Sequence, residues 1–233
     1  MLGPLHQDQA YHRFADVRSL LGVPNFADVV SSIAFVVVGV TGLVILWRGR
    51  SAGGRYILQG EWSAYWAFFW AVALAGVGSA YYHLAPDDAR LAWDRLPIAL
   101  AFMCLLAAVM SERLGIASRA GLLTLIAVGA ASVLYWSRFD DLRPYVLVQF
   151  GSLAAIVILC ARFPARYTQG WAIFAIAALY GVAKVCELYD GEIFGLTGGA
   201  LSGHTLKHLI SAAAIGALLC WVAWREPLSA GHD

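Results

Sequence analysis

The chain has 233 residues, 61% of them hydrophobic and 13% charged, with a mean hydropathy of +0.69. A soluble domain carries about 25% charged residues, so this composition excludes one and points to an integral membrane protein with a single transmembrane domain over residues 1–233. The net charge of +1 gives no nucleic-acid footprint.

Met1 to Leu20 is polar and lacks the apolar core of a cleavable signal, so the first true span is expected to serve as the targeting signal. A span needs about 20 mostly apolar residues. Seven stretches qualify, at about 27–47, 61–84, 92–110, 117–136, 144–163, 169–188 and 203–224, and they predict an all-α, polytopic seven-transmembrane-helix bundle. Between them lie the charges and turn residues: Arg48 to Arg55, Pro86-Asp87-Asp88, Ser111 to Ser118, Ser137 to Pro144, Arg162 to Arg166 and the glycine-rich Gly191 to Gly203. Glu61 opens the second span and reads only as a helix N-terminal acid. Tryptophans near span ends, among them Trp47, Trp62, Trp136, Trp171, Trp221 and Trp224, read as interfacial belts. Cys104, Cys160, Cys186 and Cys220 have no C-x-x-C spacing and read as small buried hydrophobes. His6, His12 and His232 lie in polar tails and carry no assigned role.

Basic residues of short loops set orientation. Arg48, Arg50, Arg55, Arg113, Arg119, Arg162, Arg166 and Arg225 fall on one side; Arg13, Arg18, Arg90, Arg138 and Arg143 fall on the other. The bias favours a non-cytoplasmic N-terminus and a cytoplasmic C-terminus. The same alternation brings five costly polar residues to one depth: Ser79 and His83 at the end of span two, Asp94 at the start of span three, His204 and His208 at the start of span seven. Span six ends there too, with Lys184, Glu187 and Asp190. An odd error in the span count would split the histidines across the bilayer.

Ionisable residues at membrane depth mark a functional site by default. Residues i and i+4 share a helix face, so His204 and His208 can bind one metal and His83 can supply a third nitrogen. Three imidazoles with one open position suit catalytic zinc, and zinc so held lowers the pKa of a bound water to about 7 and polarises a carbonyl. Ser79 lies one turn from His83, on the same face, and Asp94 can accept a hydrogen bond from the water or from a ligating histidine. Plainer readings stand beside these. The histidines can be interhelical hydrogen-bonders. Ser79, in Gly76-Val77-Gly78-Ser79-Ala80, can be a small packing residue, and Asp94 can serve a helix N-terminus or pair with Arg95. Lys184 with Glu187 reads as a structural ion pair, and Asp190 and Glu192 as loop residues.

The S-x-x-x-H of Ser79 and His83, the D-x-L-P of Asp94 to Pro97 and the H-x-x-x-H of His204 and His208 resemble, in this order, the CREST superfamily of seven-helix membrane hydrolases. That group includes the alkaline ceramidases and the progestin and adipoQ receptors. Asn25-Phe26-Ala27-Asp28-Val29-Val30-Ser31-Ser32 resembles the start of span one in alkaline ceramidases, and Ser202 to His208 resembles their bacterial branch. The resemblance implies one zinc ion per chain on His83, His204 and His208, with Ser79 and Asp94 as catalytic residues facing the activated water. It implies hydrolysis of a lipid amide, a ceramide or an analogue, to a sphingoid base and a fatty acid, in a bacterial inner membrane with the zinc site non-cytoplasmic. The acidic calcium site of the animal enzymes is thinned here: Asp16, Asn25 and Asp28 are the oxygen donors left for Ca2+. The alternatives are a zinc-containing lipid receptor with little or no turnover, a haem-binding electron carrier, which the shared face of His204 and His208 disfavours, and a pore, for which few other spans carry polar residues. Oligomeric state and the role of Lys184, Glu187 and Asp190 are not read from the sequence.

Overall fold

The computed structural model describes residues 3–49, 59–116 and 118–228. Arg50 and Arg55, two of the residues behind the expected orientation, lie outside the described residues, as do His232 and residue 117 at the expected start of span four. The described chain is helical throughout its apolar segments: α1 (Phe26–Gly49), α2 (Gln59–Leu84), α3 (Asp88–Leu114), α4 (Arg119–Phe139), α5 (Arg143–Arg162), α6 (Ala172–Leu188), α7 (Asp190–Leu196) and α8 (Gly203–Trp224). Six of these helices are long and apolar enough to cross a membrane; α6 and α7, bent by 82° at Tyr189, pass the same test together and make a seventh where the bent pair is one span. Every backbone polar group in hydrocarbon must be satisfied within the segment, which is why the apolar stretches are helices.

Local chemistry sets the helix ends. Asp87 caps α3 by accepting from the Arg90 N–H at 2.7 Å, Ser118 caps α4 through the Gly121 N–H at 2.8 Å, and Ser202 caps α8 through the Thr205 N–H at 3.0 Å. Gly115 closes α3 with φ of 72°, a left-handed conformation that glycine adopts without strain. A turn of π-helix at Leu147–Gly151 interrupts α5.

Asp190 and Glu192, expected in a loop, instead begin the short helix α7. The cause is visible at Asp190, whose carboxylate accepts from the backbone N–H of His204 at 2.7 Å and of Ala15 at 2.8 Å. Those two bonds pin the segment between α8 and the N-terminus, which lets it stay helical despite Gly191 and Gly195. Cys104 and Cys160 are buried as expected, Cys186 is half-buried and Cys220 is exposed on the bundle surface.

At one end of the bundle Glu61 is far more than a helix-start acid. Arg225, just past α8, reaches its Oε2 at 3.0 Å and Glu112 Oε2 at 3.2 Å; Arg113 lies 3.1 Å from Glu112, and Tyr167 donates to Glu61 at 2.6 Å. All four charged side chains are fully buried. Arg113 also donates to the carbonyls of Phe163 and Gly170, so the α5–α6 connection is fastened to α3 and to the C-terminus. From this end α6 runs the length of the bundle to Glu187 beside α8 at the other. Substituting Arg225→Met leaves the buried Glu61 without its ion-pair partner and Glu112 with Arg113 alone, and is expected to cost about 3–5 kcal/mol, as removal of one partner of a buried ion pair does. Thermal unfolding in detergent checks this, and a variant that melts with the wild type would strip the network of its structural role.

Candidate metal centre

Two close helix contacts build the site. Gly78 on α2 faces the Trp93 carbonyl of α3, where an added Cβ would come within 2.2 Å of the oxygen. That carbonyl has lost its usual helical donor, because the residue four places on is Pro97. Gly203 packs its Cα against α6, with the Cys186 carbonyl 2.0 Å from where a Cβ would stand. The first contact sets Ser79 and His83 against Asp94; the second sets the first turns of α8 against Lys184 and Glu187.

Among the described residues one group of side chains is placed to hold a metal ion: His83, His204 and His208, all buried, with one candidate ligand atom from each lying within 4.8 Å of the others. The ring centroids are 4.8 to 5.1 Å apart, which leaves no room for a porphyrin between them. His83 Nε2 and His204 Nε2 are separated by 3.3 Å. A tetrahedral ion with nitrogen ligands at about 2.0–2.1 Å has ligand–ligand edges of about 3.3–3.4 Å, so this pair already has the spacing of two zinc ligands.

On one of the rings, His208, hydrogen bonding selects the tautomer a metal needs. His208 Nδ1 lies 2.8 Å from Ser31 Oγ, and that hydroxyl is itself 3.1 Å from the Asp28 carbonyl, to which it donates. With the hydroxyl proton committed there, Nδ1–H is the donor to Ser31 and the Nε2 lone pair of His208 is left facing the site. Ser79 Oγ is 3.5 Å from that Nε2 and 3.0 Å from Ser32 Oγ. His83 is positioned from outside its ring: Asn25 Nδ2 donates to its backbone carbonyl at 2.9 Å, while its buried Nδ1 has no hydrogen-bond partner.

Lys207 carries no weight in the sequence reading, yet its Nζ sits 2.9 Å from His204 Nε2 and 2.9 Å from Glu187 Oε1. Glu187 is also paired with Lys184, as the i,i+3 spacing leads one to expect, and accepts from the Tyr11 hydroxyl at 3.0 Å. The ammonium thus occupies the His204 lone pair that a metal would take, and Glu187 is the acceptor to which it can retreat. An i+3 lysine on the histidine helix would have flagged this position.

Residues 3–25 form a strap across this end of the bundle. Leu5 N–H donates to Asp141 Oδ1 at 3.1 Å, His6 Nδ1 meets Asp140 at 2.8 Å, and His12 bridges the Tyr82 hydroxyl at 2.8 Å and Asp88 at 3.1 Å. Both of the N-terminal histidines left without a role therefore fasten the strap. Phe14 lies edge-on to His83 and to His204, with both ring centroids 4.7 Å away, and screens them from the aqueous side. Of the three side chains considered for calcium, Asp16 is held by Arg18 at 2.6 Å, Asn25 donates through Nδ2 to the His83 carbonyl, and Asp28 accepts from the Thr205 hydroxyl at 2.7 Å on Oδ1 while its Oδ2 has no hydrogen-bond partner.

Below the strap a cavity of about 310 Å3 runs from Ser79, Asp94 and His208 into the apolar interior as far as Leu218, Ile173 and Ile156. Ser79 and Asp94 both line its polar end. Asp94 makes no ion pair with Arg95, so its carboxyl is left to the cavity.

No protein-family model matches the chain, and no curated protein matches it.

Two outcomes are expected. Protein purified without chelators carries about one zinc per chain by plasma mass spectrometry, and His208→Ala loses it; a wild type free of zinc would return the histidines to hydrogen bonding. The strap should hold above mildly acidic pH. The Arg143 guanidinium, then the Leu5 N–H, keep the Asp141 carboxyl well below its ordinary value, and the Gln7 N–H and His6 do the same for Asp140. A carboxylate depressed in the folded state stabilises above its unfolded pKa of about 3.9 and loses that contribution as pH falls toward the folded value. Hydrogen exchange of residues 3–15, corrected for intrinsic rates, should be flat between about pH 5 and 8 and rise below about pH 4, and Asp141→Asn should raise it at neutral pH.

Proposed function

We propose that the protein is a zinc-dependent intramembrane lipid amide hydrolase of the alkaline ceramidase type, acting on a ceramide or an analogue. The observation that carries this reading is the joining of three elements in one place: a buried set of three histidines, a serine–aspartate pair beside it, and an apolar cavity leading away from both. The sequence motifs that resemble the CREST superfamily are the same residues that meet here.

The residues present fit the ion. Their lone pairs converge, the Ser31 relay fixes one tautomer, and a closed ring of neutral imidazoles costs little to bury compared with charged ligands. Zinc there would activate a water and polarise an amide carbonyl. The chain supplies the rest. Asp94 takes a proton from the attacking water and hands it to the leaving amine nitrogen. The Ser79 hydroxyl donates to the oxygen that becomes negative at the tetrahedral carbon. Phe14 and the strap exclude bulk water from the aqueous end, so that the attacking water is the only one held in line.

The acyl chain lies in the apolar limb of the cavity. It arrives from the membrane between α5 and α6, which touch only sparsely and both line the cavity, with Phe150 exposed and Tyr180 and Lys184 half-buried along that seam. The bias of basic loop residues favours a non-cytoplasmic histidine end, and the resemblance to the bacterial branch implies a bacterial inner membrane.

Asp94→Asn keeps the shape of the side chain and removes the proton acceptor. Turnover of a lipid amide is expected to fall about 10²- to 10⁴-fold with zinc content unchanged. An Asp94→Asn enzyme as active as wild type would end this role for Asp94. A zinc-loaded wild type that cleaves none of a panel of ceramides and simpler N-acyl lipids would end the hydrolase reading and favour a zinc-containing lipid receptor.

A further inference from the structure

Three arginines are buried in the described structure: Arg95, Arg113 and Arg225. Arg113 and Arg225 each meet carboxylates at 3.0 to 3.2 Å. Arg95 meets none. Its guanidinium lies over the rings of Trp136, Tyr145 and Tyr11, at 4.3, 5.0 and 5.4 Å from their centroids, and its Nη1 has no hydrogen-bond partner. The residue is 7% exposed and borders the cavity. Aromatic faces hold a cation in place and offset part of its desolvation, but they leave the planar fork of N–H donors unfilled.

Arg225 shows what this chain does with the same aromatic packing when the charge is structural. It stacks over Tyr167 at 3.8 Å and Trp221 at 4.8 Å and still has two glutamates. At the polar end of the cavity stand three cations, Arg95, Lys184 and Lys207, against two carboxylates, Asp94 and Glu187. Both lysines are already held by Glu187. Among the described residues Arg95 is the cavity cation with no acid of its own.

We infer that Arg95 is a head-group subsite that takes an anionic oxyacid, a carboxylate or a phosphate, on the lipid whose amide lies at the histidines. This rests on the lipid-amide reading of the cavity and narrows it: the preferred substrate carries an acid on its amine-derived part, with the acyl chain in the apolar limb. The guanidinium fork binds either oxyanion through paired N–H donors. The subsite selects and orients, and takes no part in bond cleavage.

The test uses three lipids with one acyl chain: N-oleoylethanolamine, neutral; N-oleoylglycine, a carboxylate; and N-oleoylphosphoethanolamine, a phosphate. Zinc-loaded full-length protein in detergent is assayed for kcat/KM and, separately, for the rise in melting temperature each lipid produces. At least one acidic lipid should be favoured over the neutral one by about ten- to hundredfold, the worth of a charge-assisted hydrogen bond, and the one favoured assigns the head group. Arg95→Gln should abolish the preference in both readouts while zinc content stays at the wild-type level, and Arg95→Lys should keep part of it. Should Arg95→Gln not fold, Trp136→Leu, which removes the nearest ring, should lower the preference instead. Equal stabilisation and cleavage of all three lipids overturns the subsite and leaves the lipid-amide reading standing. A preference that survives Arg95→Gln also overturns it and passes the role to Lys184 or Lys207. A failure of both binding and cleavage with all three overturns the subsite alone if a ceramide is still cleaved, and removes subsite and lipid-amide reading together if a ceramide is not.

Discussion

A lone pair buried at membrane depth needs something positive in front of it, and the histidine end of this bundle is arranged around three of them. Water is not there to serve, so each imidazole nitrogen must be matched by the protein or by an ion. On His208 the match is a relay to Ser31 and on to the Asp28 carbonyl, which commits Nδ1 as donor and leaves Nε2 inward. His204 Nε2 faces His83 Nε2 and Lys207. The helix crossings through Gly78 and Gly203, the strap, and the Glu187 pairings all serve to hold these groups within reach of one point.

The two polar ends of the bundle solve the problem of buried charge in opposite ways. Around Arg225, two arginines and two glutamates close on each other with tyrosines filling in, and the result is a clamp between α2, α3 and the chain past α8. Buried pairs of that sort are weak as net stabilisers but costly to break. At the histidine end the charges are left incomplete toward a cavity: Asp94 without a base, Arg95 without an acid. An incomplete set beside a hollow is what a site for a ligand requires, and the contrast within one chain is more telling than either end alone.

What could be read from the sequence was what periodicity and hydropathy encode locally. The apolar runs gave the helices to within a few residues, and the i,i+4 spacing of Ser79 with His83 and of His204 with His208 put each pair on one face. Their meeting followed from counting crossings. The residues that stayed hidden are those whose meaning lies in a distant partner. Glu61 finds Arg225 across 164 positions and Ser31 finds His208 across 177, and neither separation leaves a pattern. Phe14 and His12 sat in a segment whose polarity suggested a free tail, while its real anchors are backbone N–H groups and single carboxylates. Asp190 was missed for the opposite reason: the glycine-rich stretch that follows it suggested a loop, and two backbone donors from elsewhere made it a helix start.

The strap has a bearing on how the site comes into being. It precedes α1 in the chain, while two of the three histidines lie on α8. No nascent chain can therefore present a complete set of imidazoles until the whole bundle has been inserted, and Phe14 can settle on His83 and His204 only after that. Closure is the final event of assembly. From then on the centre is reached either past Phe14 or through the apolar cavity, so an ion held there would exchange only by way of the strap or the cavity mouth.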